Sequence, residues 1–123
     1  MTAWTSADLD AINHTTDLYV SPFRDDGVTY GTPTQTWALV VDRQVYIRAA
    51  NGPTSSWYRA AITQGAGRVR VEDRDYEVTF AQAPADMAEA IDAAYEDKYP
   101  GSSAVTIMQG DRPKSATVVI TQR

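Results

Sequence analysis

The sequence predicts an α+β domain built on a closed or split antiparallel β-barrel of about six strands, with two or three helices. Three observations predict it. Short β-branched and aromatic runs follow one another through connections of a few residues, which makes neighbouring strands antiparallel hairpins. The helical segments do not alternate with strands in the way a parallel sheet demands. A chain of 123 residues, 43% of them hydrophobic, is long enough for one core, so 1–123 is read as a single domain. A ferredoxin-like sheet ranks second, because it needs a helix directly after its first strand and here two helices come late.

Thr5 or Ser6 caps a short helix over Ala7–Asn13, with Asp8 in its first turn and Leu9 and Ile12 on its apolar face. His14, the only histidine, falls at the helix end. There a protonated imidazole assists the last carbonyls, a reading preferred to catalysis. Asp17–Phe23 is a strand whose Pro22 marks an edge or a bulge. Arg24-Asp25-Asp26-Gly27 is a turn, and Val28–Pro33 follows without clear periodicity. Thr34–Val41 is the second strand, with Trp37, Leu39 and Val41 on one face, and Asp42-Arg43-Gln44 joins it to the third, Val45–Ala50.

In that third strand Val45, Ile47 and Ala49 face one way, and Tyr46, Arg48 and Ala50 the other. Asn51-Gly52-Pro53 breaks it, and Thr54 or Ser55 caps a helix running to about residue 63. Gly65-Ala66-Gly67 ends that helix. Arg68–Glu72 and Tyr76–Ala81 form a second hairpin around Asp73-Arg74-Asp75. Pro84 opens the longest helix, Ala85–Tyr99, with Met87, Ile91, Ala94 and Tyr95 on its buried stripe. Ser102 or Ser103 caps a short helical piece through Met108, a loop spans Gly110–Pro113, and Ala116–Thr121 is the last strand. Trp37, Ile47, Val78 and Val118 are expected to share the barrel interior.

The charge is unevenly placed. Arg43–Val71 holds five arginines and no Asp or Glu, leaving −10 for the rest of a chain whose net charge is −5. One positive patch in an acidic protein suits a small anionic ligand better than a long polyanion, and the overall balance argues against nucleic acid. The strand–turn–helix unit at its centre presents free backbone N–H groups beside hydroxyls, which is how proteins hold phosphate. Arg48 leaves the strand just before the turn and Arg59 lies about one turn into the helix. Both are expected to converge on the N–H groups of Ser55, Ser56 and Trp57.

Other chemistry is excluded by what is missing. The chain has no cysteine and one histidine, so disulfides, thiolate metal sites, zinc clusters and Ser-His-Asp or Cys-His nucleophiles are excluded. Cysteine-free composition fits a reducing cytoplasm. The N-terminus carries no signal-peptide pattern, and no apolar run approaches the roughly 20 residues that span a bilayer. Gly65-Ala66-Gly67-Arg68-Val69-Arg70 follows a helix instead of preceding one and is no dinucleotide fingerprint, and Asp73-Arg74-Asp75-Tyr76-Glu77 lacks the glycine of a calcium loop. No catalytic side chain is indicated, so an enzyme here would rely on a bound cofactor.

Tyr46-Ile47-Arg48-Ala49-Ala50-Asn51-Gly52, then Ser56-Trp57-Tyr58-Arg59, and the helix end Ala94, Tyr95, Lys98, Tyr99 resemble the family catalogued as domain of unknown function 2255, from about Trp4 to Ile120. The central unit is more distantly similar to the deazaflavin-dependent nitroreductases of the flavin-binding split-barrel superfamily. Trp57 and Tyr58 match the start of the helix that holds the cofactor phosphate there. Ser55 stands for its proline, Ala60 for its asparagine, and Arg24-Asp25-Asp26-Gly27 for its upstream glycine-rich loop.

That resemblance implies a flavin mononucleotide (FMN) or deazaflavin coenzyme. Its phosphate would lie at Arg48, Asn51, Gly52, Ser55, Ser56, Trp57 and Arg59, and its ring over the strand face near Trp37 and Tyr46, within a homodimer. Two functions stay open: a flavin- or deazaflavin-binding oxidoreductase, or a cofactor-free barrel that uses the same patch for a small anion or a protein partner.

Overall fold

The computed structural model describes residues 4–15, 17–50, 52–101, 103–110 and 115–122. Asn51, Ser102 and most of the Gly110–Pro113 loop lie outside the described residues. The strands are β1 (Leu18–Pro22), β2 (Thr34–Thr36), β3 (Ala38–Val41), β4 (Gln44–Arg48), β5 (Ala66–Val71), β6 (Arg74–Gln82) and β7 (Thr117–Gln122). They form one antiparallel sheet in the order β2-β1-β5-β6-β7-β4-β3. The two outer strands are consecutive in the chain, separated only by Trp37, so the sheet curls into a nearly closed barrel. The fold is α+β, with one strand more than the six expected because the Thr34–Val41 run splits in two.

The helices are α1 (Ser6–His14), α2 (Ser56–Gln64), α3 (Ala88–Lys98) and α4 (Ser103–Met108). Thr5 caps α1 reciprocally: its hydroxyl accepts from the Asp8 N–H, and the Asp8 carboxylate accepts from the Thr5 N–H. A 3₁₀ turn over Ala85–Met87 precedes α3, so the expected Ala85–Tyr99 helix starts as a tighter coil. Gly65, at φ 70°, closes α2 in the left-handed conformation, and β5 starts immediately afterwards.

Alternation along the strands divides the core in two. Inside the barrel, Leu18, Val20, Ala38, Val45, Ile47, Val69, Val71, Val78, Phe80, Val118 and Ile120 meet Leu9 and Ile12 of α1 and Ala61 of α2. Outside it, Leu39 and Tyr46 pack under Ile91 and Tyr95 of α3 and Val105 and Met108 of α4. Trp37 belongs to this outer layer and not to the interior. The β3–β4 register sets Ala38 opposite Ile47, both facing in, so the neighbouring residue 37 must face out. Its indole stacks on Tyr99 with ring centroids 4.5 Å apart.

Both expected hairpins are present, β3–β4 and β5–β6. The second turns at Glu72-Asp73, one residue tighter than the expected Asp73–Asp75, because Arg74 and Asp75 already pair with Val71 and Arg70. Pro22 lies in β1 beyond the last residue paired with β2, where no partner strand asks for its missing N–H.

Candidate functional site

The Gly52 turn carries the chain from β4 to α2. Gly52 sits at φ 77°, a left-handed conformation that glycine adopts without a Cβ penalty, and its N–H donates to the Ala49 carbonyl at 2.9 Å. A 3₁₀ turn over Gly52–Thr54 delivers Ser55, in extended conformation, to the N-cap position. Ser55 accepts the Arg59 N–H through its carbonyl, but its side chain makes no capping bond, and the first turn holds no acid. The N–H groups of Ser56, Trp57 and Tyr58 therefore have no acceptor among the described residues, and they carry the positive end of the helix dipole.

This turn borders a cavity of about 500 Å³ lined by Thr34, Gln35, Thr36, Trp37, Arg48, Ala50, Ser55, Ser56, Trp57 and Met108. The structure thus brings together Trp37, Arg48, Ser55, Ser56 and Trp57. Tyr46 is elsewhere, buried beneath α3, where desolvation raises its pKa. Arg59 is exposed on α2, away from the cavity lining, and its side chain makes no hydrogen bond among the described residues.

Arg48 corrects the expectation of two arginines converging on α2. It is 1% exposed, and its guanidinium is held from four sides. Nε donates to Thr117 Oγ1 at 3.1 Å, one terminal nitrogen to Asp92 Oδ1 at 2.6 Å and the Met108 carbonyl at 2.8 Å, and the other to the Ala88 carbonyl at 3.1 Å. It also lies 5.6 Å from the Tyr95 ring centroid. A buried guanidinium needs such partners, and α3, α4 and β7 supply them. Arg48 forms part of the cavity wall, with its charge already matched by Asp92.

Thr34, Gln35, Thr36, Ala50 and Met108 complete the lining and were not foreseen. The sequence pattern runs the first three into one strand with Trp37; nothing local shows that β2 leaves β3 to pair with β1. Thr36 is itself committed, donating to the Leu18 carbonyl at 2.8 Å. A second hollow of about 550 Å³ adjoins the first, sharing Thr34, Ser56 and Trp57 and extending along Phe23, Arg24 and Asp25. Among the described residues no cluster of three His, Asp or Glu side chains forms a metal site. No described helix is long and apolar enough to cross a membrane.

The molecule is an α+β protein of the nearly closed antiparallel barrel class, with a cavity at the uncapped start of one helix. The chain belongs to the family described as uncharacterized protein conserved in bacteria (DUF2255), whose model matches residues 8–120. Among solved structures it is similar to the conserved hypothetical protein Rv2991 from Mycobacterium tuberculosis, at 15% identity and a TM-score of 0.63, covering 96% of this chain and 79% of that one. At that identity the likeness speaks for the fold alone. No curated protein matches the chain.

Proposed function

We propose that the chain binds a phosphate-bearing aromatic cofactor, FMN or a deazaflavin coenzyme, and serves as an oxidoreductase in a reducing compartment. One observation carries this reading: the uncapped N–H groups of α2 open beside a cavity whose wall includes two indoles, Trp37 and Trp57. The N–H groups of Ser56 and Trp57, with the hydroxyls of Ser55 and Ser56, are the donors a phosphate needs. The indoles supply the apolar, planar surface an aromatic ring needs. When bound, the cofactor supplies the hydride chemistry; this chain's residues hold the phosphate, orient the ring and limit water access. A homodimer belongs to the same proposal, with an interface of at least about 1,000 Å².

A second reading is favoured by Arg48. The one cation in the cavity wall is already paired with Asp92, so a ligand gains less charge there than the sequence promised. On that reading the barrel is cofactor-free and the same donors take a small anion or the acidic face of a protein. The visible absorbance of freshly purified protein tests the two. A flavin or deazaflavin spectrum, released in stoichiometric amount on denaturation, supports the first. A colourless protein that takes up neither cofactor supports the second.

A further inference from the structure

The outer face of the β1–β5–β6 sheet holds two arginines that the α2 cavity does not use. The register places Tyr19 opposite Arg70 and Ser21 opposite Arg68 across β1 and β5, and Arg70 opposite Asp75 across β5 and β6. All five side chains, with Pro33, line a hollow of about 310 Å³. Directly opposed residues have Cβ atoms about 5 Å apart, so these polar groups crowd one small area.

Within the lining the arginine donors outnumber the carboxylate acceptors; Glu77, opposite Arg68 across β5 and β6, stands outside the lining and accepts from the Tyr30 hydroxyl. Arg70 spends Nε and one terminal nitrogen on Asp75, at 2.8 and 3.2 Å, which also holds the Asp75 carboxyl below its ordinary pKa. Its other terminal nitrogen has no partner among the described residues. The Arg68 side chain makes no hydrogen bond there; it approaches Asp75 only to 3.9 Å and lies over the Tyr30 ring, 4.2 Å from its centroid. Ser21 is only 3% exposed, yet its hydroxyl has no hydrogen-bond partner among the described residues. Its oxygen opens to the hollow and is not sealed in the core, so the hydroxyl and the unspent guanidinium donors beside it can meet an acceptor there. The only acid in the lining is already engaged by Arg70.

We propose that this hollow is an oxyanion site, in which Arg68, Arg70 and Ser21 together bind the phosphate or carboxylate group of a small ligand. Arg68 presents its planar fork, the geometry that bidentate recognition of such groups uses. Asp75 keeps Arg70 in place and limits the net charge of the lining, which disfavours a polyanion. The site is separate from the α2 cavity and stands or falls independently of the cofactor reading.

The test follows the arginine side-chain Nε–H resonances of the full chain by NMR. Sodium phosphate and sodium acetate are added separately at constant ionic strength kept with sodium chloride. The Arg68 and Arg70 resonances should shift saturably while those of Arg43 and Arg59 stay still. Arg68→Gln and Ser21→Ala should each weaken binding about tenfold or more, with circular dichroism unchanged. Saturation by phosphate alone identifies a phosphate ligand, and saturation by acetate identifies a carboxylate. Shifts that never saturate, or equal affinity in wild type and Arg68→Gln, would overturn the site.

Discussion

Arg48 and Asp92 meet at 2.6 Å, and this pair ties the barrel to the helix that covers it. The guanidinium leaves β4, the carboxylate comes from α3, and Thr117 of β7 and the Met108 carbonyl of α4 complete the joint. Arg48 is therefore a structural residue first. Removing it leaves Asp92 and two main-chain carbonyls without their cationic donor. Breaking a buried pair costs about 3–5 kcal/mol, and Asp92, whose side chain keeps 22% exposure, places this one near the lower end. Arg48→Ala should cost about 3 kcal/mol in urea unfolding, and Arg59→Ala less than about 0.5 kcal/mol. Similar small losses in both would dissolve the joint.

Lys98 predicts a pH effect. Its Nζ donates to the Ile12 and Ala38 carbonyls, at 3.0 and 2.6 Å, and desolvation lowers its pKa from 10.5 to about 8. Between these values the unfolded chain holds a proton that the folded chain has released, so this group adds stability as pH rises from about 8. Tyr99 acts oppositely, since burial raises its pKa from 10.0 to about 12, so the clean window ends near pH 10. Chemical denaturation of wild type and Lys98→Met from pH 7.5 to 10 should show the wild type gaining relative to the variant. A constant difference would mean that Lys98 titrates normally.

Gly67 stands opposite Pro22 across β1 and β5. A Cβ there would stand 2.5 Å from the Ser21 carbonyl oxygen and 2.7 Å from the Pro22 Cα, both backbone atoms that cannot swing away. Gly67→Ala should cost at least about 1–3 kcal/mol. A thermal melt unchanged from wild type would show that the strands can part.

The β3–β4 turn stores strain. Asp42 and Arg43 sit at φ 51° and 65°, where a Cβ costs about 1–2 kcal/mol. Arg43→Gly relieves it, less the roughly 0.5–1 kcal/mol that glycine loses in chain entropy. A net gain of about 0.5 kcal/mol should appear in urea unfolding; a loss would mean that the Arg43 side chain stabilises the turn.

How much of this could be read in the sequence follows from the range of the interactions. The hairpins were legible because alternation and short connections are local. So was the start of α2, since Gly52-Pro53-Thr54-Ser55 carries its own turn and cap chemistry. Arg48 was not, because its partners Ala88, Asp92, Met108 and Thr117 lie 40, 44, 60 and 69 residues away. An arginine beside a turn looks the same whether it greets a ligand or closes a core. Trp37 was misplaced for a related reason. Trp37, Leu39 and Val41 do share one face, but both faces of this strand pack on a core, and alternation alone does not say which of them lines the barrel.

The most direct measurement is a tryptophan-fluorescence titration of FMN and a deazaflavin coenzyme into wild type and Ser56→Asp. Two of the three tryptophans, Trp37 and Trp57, line the cavity and report on a ring placed beside them. An aspartate at position 56 sits well with the helix dipole, adding about 0.3–1 kcal/mol of stability, while its charge occupies the place of the phosphate. Saturable quenching of the wild type by one cofactor, with at least about tenfold weaker binding in a Ser56→Asp protein that melts no lower, is the predicted result. No quenching by either cofactor, or equal affinity in both proteins, would contradict it.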